Sequence, residues 1–350
     1  MRNGCSAAQQ RCSVPDLAEV TTLRVGGPVA DFVEATSEAA LIAAVSEADA
    51  AGTPVLVLGG GSNLVVGDGG FAGRVVAVRT RGVAADADAC GGAVVRVAAG
   101  ESWDDLVARA CQEGWIGIEA LAGIPGLVGS TPIQNVGAYG QEVAETIASV
   151  RCWDRQSGVV RTLFNADLRF GYRTSRLKAE PGRWVVLEVV FQFRLGDLGA
   201  PVRYAELAAR LGIELGERAG SAEVCAAVLA LRTSKGMVLD PVDHDTWSAG
   251  SFFTNPIIAE SAVPDGAPSW PQTDGHVKTS AAWLIEHAGY GKGYGNERAA
   301  LSGKHTLALT NRGNATTEDL LELAREIRDG VRRAYGIELV NEPVLVGCAL

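Results

Sequence analysis

Apolar positions recur along the chain at spacings that separate helices from strands. The clearest run is Thr317 to Tyr335, where Leu320, Ala324, Ile327, Val331 and Ala334 are spaced 4, 3, 4 and 3, the pattern of one helix face. A second helix is predicted from Glu38, capped by Thr36 or Ser37, with Leu41, Ala44, Val45 and Ala48 on one side and Gly52 at its stop. Ser102 caps a third, carrying Leu106, Ala110 and Cys111 inward; further helices are expected over 204–211, 221–231 and 280–288. Short apolar runs at 54–58, 64–66, 74–78 and 93–99 read as strands, the last two flanking an Ala/Asp-rich turn at 84–92. From Ser149 to Leu195 the pattern is β, with a turn at Phe170 to Ser175, and a last strand is expected over 337–346. Residues 1 to 19 read as a loose tail.

One stretch resists both periods. Gly123 to Glu142 holds five glycines and two prolines, with Gln134 beside Asn135, and is poor in both helix and strand propensity. Ile124, Leu127, Val128, Ile133 and Val136 make it too apolar for an open loop. It reads as a shaped backbone in which main-chain N–H groups approach a ligand and the amide pair meets a planar ring edge. A second glycine turn, Gly59-Gly-Gly-Ser-Asn63, follows a strand but lacks the third glycine and the helix of a dinucleotide fingerprint, because Leu64 to Val66 continues as strand. It is either a plain hairpin turn or an anion-binding concavity.

Composition narrows the class. A chain of 350 residues with 47% hydrophobic and 21% charged residues is ordinary for a folded protein of two or three domains. Its net charge of −10 argues against a general nucleic-acid binder. No run reaches the length of a membrane span and the first twenty residues lack a signal-peptide core, so a cytoplasmic location is expected. The seven cysteines are odd in number, scattered and never Cys-x-x-Cys; they read as free thiols, with no metal site.

Three motifs set a reactive residue where a surface loop would not need one. Gly250-Ser251-Phe-Phe253 places a hydroxyl against two rings, as suits a proton donor in a dry pocket, and no Gly-x-Ser-x-Gly elbow makes it a nucleophile. Tyr172-Arg173 offers a guanidinium fork for a carboxylate, and Glu342 stands before Pro343 in an apolar segment where it needs a partner or a proton. Each has an ordinary reading too: a loop serine beside core phenylalanines, a surface arginine, an exposed strand-end glutamate.

Together these motifs, in this order from about Thr21 to Gly347, resemble the UDP-N-acetylenolpyruvoylglucosamine reductase family, of its larger subclass with a tyrosine loop. The resemblance implies a three-domain α+β fold, with two domains holding FAD as in the vanillyl-alcohol-oxidase-like flavoproteins and a third over the substrate. Boundaries of 20–82 (joined by 341–350), 83–238 and 239–340 follow. It implies NADPH-dependent reduction of UDP-N-acetylglucosamine enolpyruvate to UDP-N-acetylmuramate in peptidoglycan synthesis, by a monomer with only small-molecule partners. Implied FAD contacts are Arg24, Gly59, Gly60, Gly61, Ser62 and Asn63, then Gly123, Ile124, Pro125, Gly126, Gly129, Ser130, Gln134, Asn135, Gly137, Ala138 and Tyr139. No His or Cys lies within 59–63, so the flavin is expected to be non-covalent. The implied catalytic residues are Ser251 as general acid, with Arg173 and Glu342 on the substrate carboxylate. The implied substrate contacts are Tyr172, Tyr204, Lys235, Asn255, Lys278 and His305. Two rival readings are a flavin oxidase of the same fold acting on another alcohol or sugar, and a catalytically silent nucleotide-sugar binder.

Overall fold

The computed structural model describes residues 14–88, 90–272 and 275–350. Val29–Ala35, Phe71–Val78 and Val55–Leu58 form a parallel three-stranded sheet with Phe71–Val78 in the centre, and the Glu38–Ala50 helix makes the crossover. Ser37 caps that helix by accepting from the Ala40 N–H, and Leu41, Val45 and Ala48 bury its inner face. Sequence patterning passes over Val29–Ala35 because Asp31 and Glu34 look like loop residues. Asp31 is in fact the register partner of Arg74, whose Nε donates to its carboxylate at 2.6 Å.

A second, antiparallel sheet runs in the order Val159–Phe164, Ile147–Asp154, Trp184–Leu195, Gly92–Ala98, Val83–Asp88, with Trp115–Ile116 added to the long strand. The turn expected at 84–92 is therefore mostly strand. Val83–Asp88 is an edge strand with both faces largely exposed, so it carries no alternation, and its turn is made by the Asp88 carboxylate accepting from the Cys90 and Gly91 N–H groups. The Trp103–Gln112 and Ser221–Ser234 helices cover this sheet's inner side, around Trp103, Phe191 and Phe193. These two helices also join Cys111 to Cys225 in a disulfide, correcting the expectation of free thiols for that pair. A separation of 114 residues hid the pairing from sequence; Cys152 and Cys348 are free.

The third unit is built on the Thr317–Tyr335 helix, whose bounds match its periodicity. Leu320, Ala324, Ile327 and Val331 are fully buried against Leu284, Ile285, Leu301 and Leu309, each large side chain contributing on the order of 1.5–3 kcal/mol. Thr316 caps its start and Gly336 ends it at φ 70°. The helix is tied to the first sheet region: Asp68 accepts from the Thr317 N–H at 2.8 Å, and the Thr317 hydroxyl donates to Val66 O at 2.5 Å.

The last strand is shorter than expected. Only Val344–Val346 is extended and paired, running parallel to Leu64–Val66, because Pro343 has no N–H to donate and Ile337 and Leu339 turn into the third unit's core. At the other end the expected tail overlaps folded chain. Leu17–Val20 is a 3-10 turn capped by Asp16, with Leu17 fully buried, and residues 1–13 lie outside the described residues. Among the described residues, no helix is long and apolar enough to cross a membrane.

Candidate active site

The two glycine stretches meet. A Cβ on Gly60 would sit 2.8 Å from Gly126 Cα, and one on Gly59 would sit 2.5 Å from the Ser130 hydroxyl, so only glycines let these backbones form one wall. That wall borders a cavity of about 500 Å³ lined by Gly59 to Asn63, Ile124 to Leu127, Gly129, Ser130, Gln134 and Gly137. Among the described residues, the N–H groups of Gly60, Gly61 and Ser62 donate to no protein acceptor. They form a nest suited to an anion such as a pyrophosphate. The Asn63 amide donates to Gln134 Oε1 at 2.6 Å and pins the turn to the longer stretch.

The same cavity is lined by Arg173, Lys178, Ser251 and Glu342. Arg173 sits in a two-residue turn closed by reciprocal bonds between Gly171 and Thr174, at φ 53°, a left-handed conformation unusual for arginine. Its Nη2 donates to Gly137 O at 2.8 Å, and its Nε lies 3.1 Å from Glu342 Oε1. That Nε–H is not aimed at the carboxylate and, among the described residues, finds no hydrogen-bond acceptor. Ser251 and Glu342 are held together by backbone: the Glu342 N–H donates to Phe252 O at 2.8 Å, and Phe253 bridges Asn341. Phe252 and Phe253 are fully buried beneath them.

Electrostatics divide the groups. Burial pushes the Glu342 carboxyl above its ordinary range, and the nearby Arg173 and Lys178 charges pull it back only in part. His305 Nε2 is 3.5 Å from Ser251 Oγ. Burial first, then the charges of Lys235, Lys292 and Arg232, lower His305 from 6.5 to about 4, with Glu286 opposing. The folded protein thus holds this imidazole neutral, while the unfolded chain takes up its proton near 6.5. Stability present above that pH is lost as pH falls toward 4. Between those limits the wild type is expected to lose up to about 3 kcal/mol more than His305→Gln, in urea unfolding followed at several pH values. Parallel curves would show that His305 titrates normally.

Comparison with known proteins adds the decisive observation. Residues 240–346 match the C-terminal domain model of UDP-N-acetylenolpyruvoylglucosamine reductase, and residues 29–163 match an FAD binding domain. The reductase of Cutibacterium acnes is 60% identical, covering 95% of this chain and 90% of that protein; the one from Streptomyces coelicolor is 56% identical at the same coverage. This chain belongs to the UDP-N-acetylenolpyruvoylglucosamine reductase family. The crystal structure of the Thermus caldophilus reductase, 27% identical, covers 95% of this chain and 97% of its own with a TM-score of 0.62. The fold is accordingly the α+β arrangement of an FAD-binding unit with a C-terminal reductase-family domain.

Within that family frame, several residues expected to touch the cofactor lie elsewhere. Asn135, at φ 48°, is turned into the protein: its amide donates to Glu142 and Gly171 O and accepts from the Ala144 N–H. Only Gln134 of the amide pair reaches the cavity. Gly123 and Ala138 are off the cavity wall, Gly123 donating its N–H to Asp104 at 2.7 Å. Arg24 stacks on Trp247 at 3.9 Å and lines a separate groove with Arg79 and Arg81 behind Gly59 and Gly60. Tyr139 joins the residues expected on the substrate side. Its ring meets Tyr204 edge-on at 5.4 Å, and Lys235, paired with Glu206 at 2.5 Å, lies 5.7 Å above it.

Three other expected substrate residues form a second cluster. The Asn255 N–H donates to the Tyr172 hydroxyl at 3.3 Å, and Lys278 Nζ lies 4.5 Å over the Tyr172 ring. His305 lies beside Ser251. Three cavity cations, Arg155, Lys178 and Arg232, were not singled out by sequence. Lys178 follows the Tyr172 motif, and its Nζ donates to Arg173 O at 3.1 Å; Arg232 lies in the last turn of the Ser221–Ser234 helix. Their spacing from Arg173 and Lys235 was the available signal.

Proposed function

We propose that Ser251, Arg173 and Glu342 carry the second half of an NADPH-dependent reduction of UDP-N-acetylglucosamine enolpyruvate. The chain is an FAD-dependent oxidoreductase of peptidoglycan synthesis, as its family membership requires. One observation carries the assignment of residues: a single cavity is lined by the glycine nest and by Arg173, Ser251 and Glu342 together. The residues present fit FAD, with open N–H groups for the pyrophosphate and an apolar floor from Ile124, Leu127 and Trp103 for a flat ring. When bound, FAD supplies a two-electron carrier that no side chain can replace.

The chain's own residues do the rest. The substrate carboxylate binds at Arg173, and Glu342, its carboxyl raised by burial, shares a hydrogen bond with the same oxygens without giving up a proton to the product. Negative charge growing on that carboxylate is thereby held in a water-poor pocket, where such contacts act most strongly. Ser251 Oγ delivers its proton to the adjacent carbon, and His305 Nε2 can donate to the oxygen as that proton leaves. Phe252 and Phe253 keep water from the donor. Tyr139, Tyr204 and Lys235 in one cluster, and Tyr172, Asn255 and Lys278 in the other, support a nucleotide and its diphosphate.

The test is NADPH oxidation by the purified yellow protein. Oxidation that depends on the enolpyruvyl sugar nucleotide is expected; oxidation that proceeds equally with oxygen alone would favour the oxidase reading.

A further inference from the structure

The turn that carries Arg173 leaves one carbonyl without a place in any ladder. Gly171 and Thr174 bond each other across it, N–H to O in both directions, and Arg173 O takes no part in that pairing. Among the described residues the Lys178 ammonium is its only donor, at 3.1 Å. Lys178 reaches it from the Arg176–Ala179 helix, one turn further along the chain. That short helix is itself anchored. The buried Ser175 hydroxyl accepts from the Leu177 and Lys178 N–H groups and donates to Ile133 O at 2.6 Å, so the lysine starts from a base fixed to the longer glycine stretch.

A lysine near a cavity ordinarily extends its charge into water. Lys178 is instead half-buried, lines the cavity and, among the described residues, forms no ion pair with a carboxylate. Burial lowers its pKa, Glu342 draws it back, and the like charge of Arg173 lowers it again. A long side chain that gives up freedom and hydration to bond one carbonyl makes sense where that carbonyl must stay in place. Arg173 has φ 53°, a conformation that a residue with a Cβ keeps only when its surroundings over-determine it. Its guanidinium is placed from the other end, by the Nη2 bond to Gly137 O. Resting on the role given to Arg173 above, we propose that Lys178 is a positioning residue for the second half-reaction: its ammonium pins the Arg173 carbonyl and so holds the guanidinium fork toward the substrate carboxylate. With that pin removed the turn relaxes, and a displacement of about 1 Å at the fork is enough to weaken its hold on the growing charge.

The experiment follows both half-reactions by rapid-mixing spectroscopy in wild type, Lys178→Met, Lys178→Arg, Arg173→Ala and the variant combining Lys178→Met with Arg173→Ala. Methionine keeps most of the lysine stem and removes the donor. Lys178→Met is expected to slow the second half-reaction at least about tenfold more than the first, and Lys178→Arg to recover part of that loss. Because Lys178 acts through Arg173, adding Lys178→Met to Arg173→Ala should cost less than about twofold further. Equal slowing of the two halves, no recovery by arginine, or additive losses in the combined variant overturns the proposal. So does a lowered melting temperature with both rates unchanged, which would mark Lys178 as a brace of the fold alone. Lys178→Ala is read in the same way where the Met variant is insoluble. Full turnover in Arg173→Ala would overturn the role of Arg173 and this one with it, whereas loss there with none in Lys178→Met refutes the role of Lys178 alone.

Discussion

Ser251→Ala is expected to let NADPH bleach the blue absorbance of the flavin at a near-normal rate, yet to slow turnover of the enolpyruvyl substrate by at least about 10²-fold. The two halves separate because they use different groups. Nothing in the first requires a proton from Ser251, whereas the second leaves a carbon that must be protonated by the one hydroxyl in the cavity lying between His305 and the buried Phe252–Phe253 pair. Alanine removes the proton source without opening the wall, since the Phe252 and Glu342 backbone bonds persist. Rapid-mixing spectroscopy reads both halves in one experiment. Turnover within a few-fold of wild type would remove Ser251 from its role as acid.

The second large effect concerns Arg173. Arg173→Ala is expected to reduce the rate of the second half-reaction by about 10²- to 10³-fold, the loss typical when one preorganised donor to a developing anion is removed. Arg173→Gly makes the result diagnostic. Alanine inherits the left-handed backbone at φ 53°, which disfavours any residue with a Cβ by roughly 1 kcal/mol, whereas glycine does not. The glycine variant should therefore match alanine in lost activity while melting at the higher temperature of the two. Equal melting temperatures would deny the strain, and full activity in either would deny the role. Asn135 and Tyr139, in the stretch that Arg173 bonds through Gly137 O, share this unusual φ.

Much of this was legible in the chain because local rules and tertiary packing agree. The Thr317–Tyr335 helix needed only its apolar spacing and its Thr316 and Gly336 ends. Leu64–Val66 read as strand, and so the Gly59–Gly61 turn was kept out of the dinucleotide class. The failures have a common cause in contacts that sequence spacing does not encode. Asp31 looks like a loop residue until Arg74 is seen across the sheet, and Val83–Asp88 looks like a turn until Gly92–Ala98 pairs with it. In the site, the motif residues Ser251, Arg173 and Glu342 were visible as oddities, but their meeting was not. The Asn135 amide faces inward because an amide beside glycines suits Glu142 and Gly171 as well as it suits a ring edge.

The parallel pairing of Val344–Val346 with Leu64–Val66 also bears on the order of assembly. The glycine nest follows the Val55–Leu58 strand and can be shaped by near neighbours in the chain. Glu342, two residues before the pairing strand, comes into register only when segments from opposite ends of the described chain have found each other. Closing so long a loop is entropically slow and comes after local structure. Competence for substrate chemistry is thus expected late in folding, once this short ladder has formed.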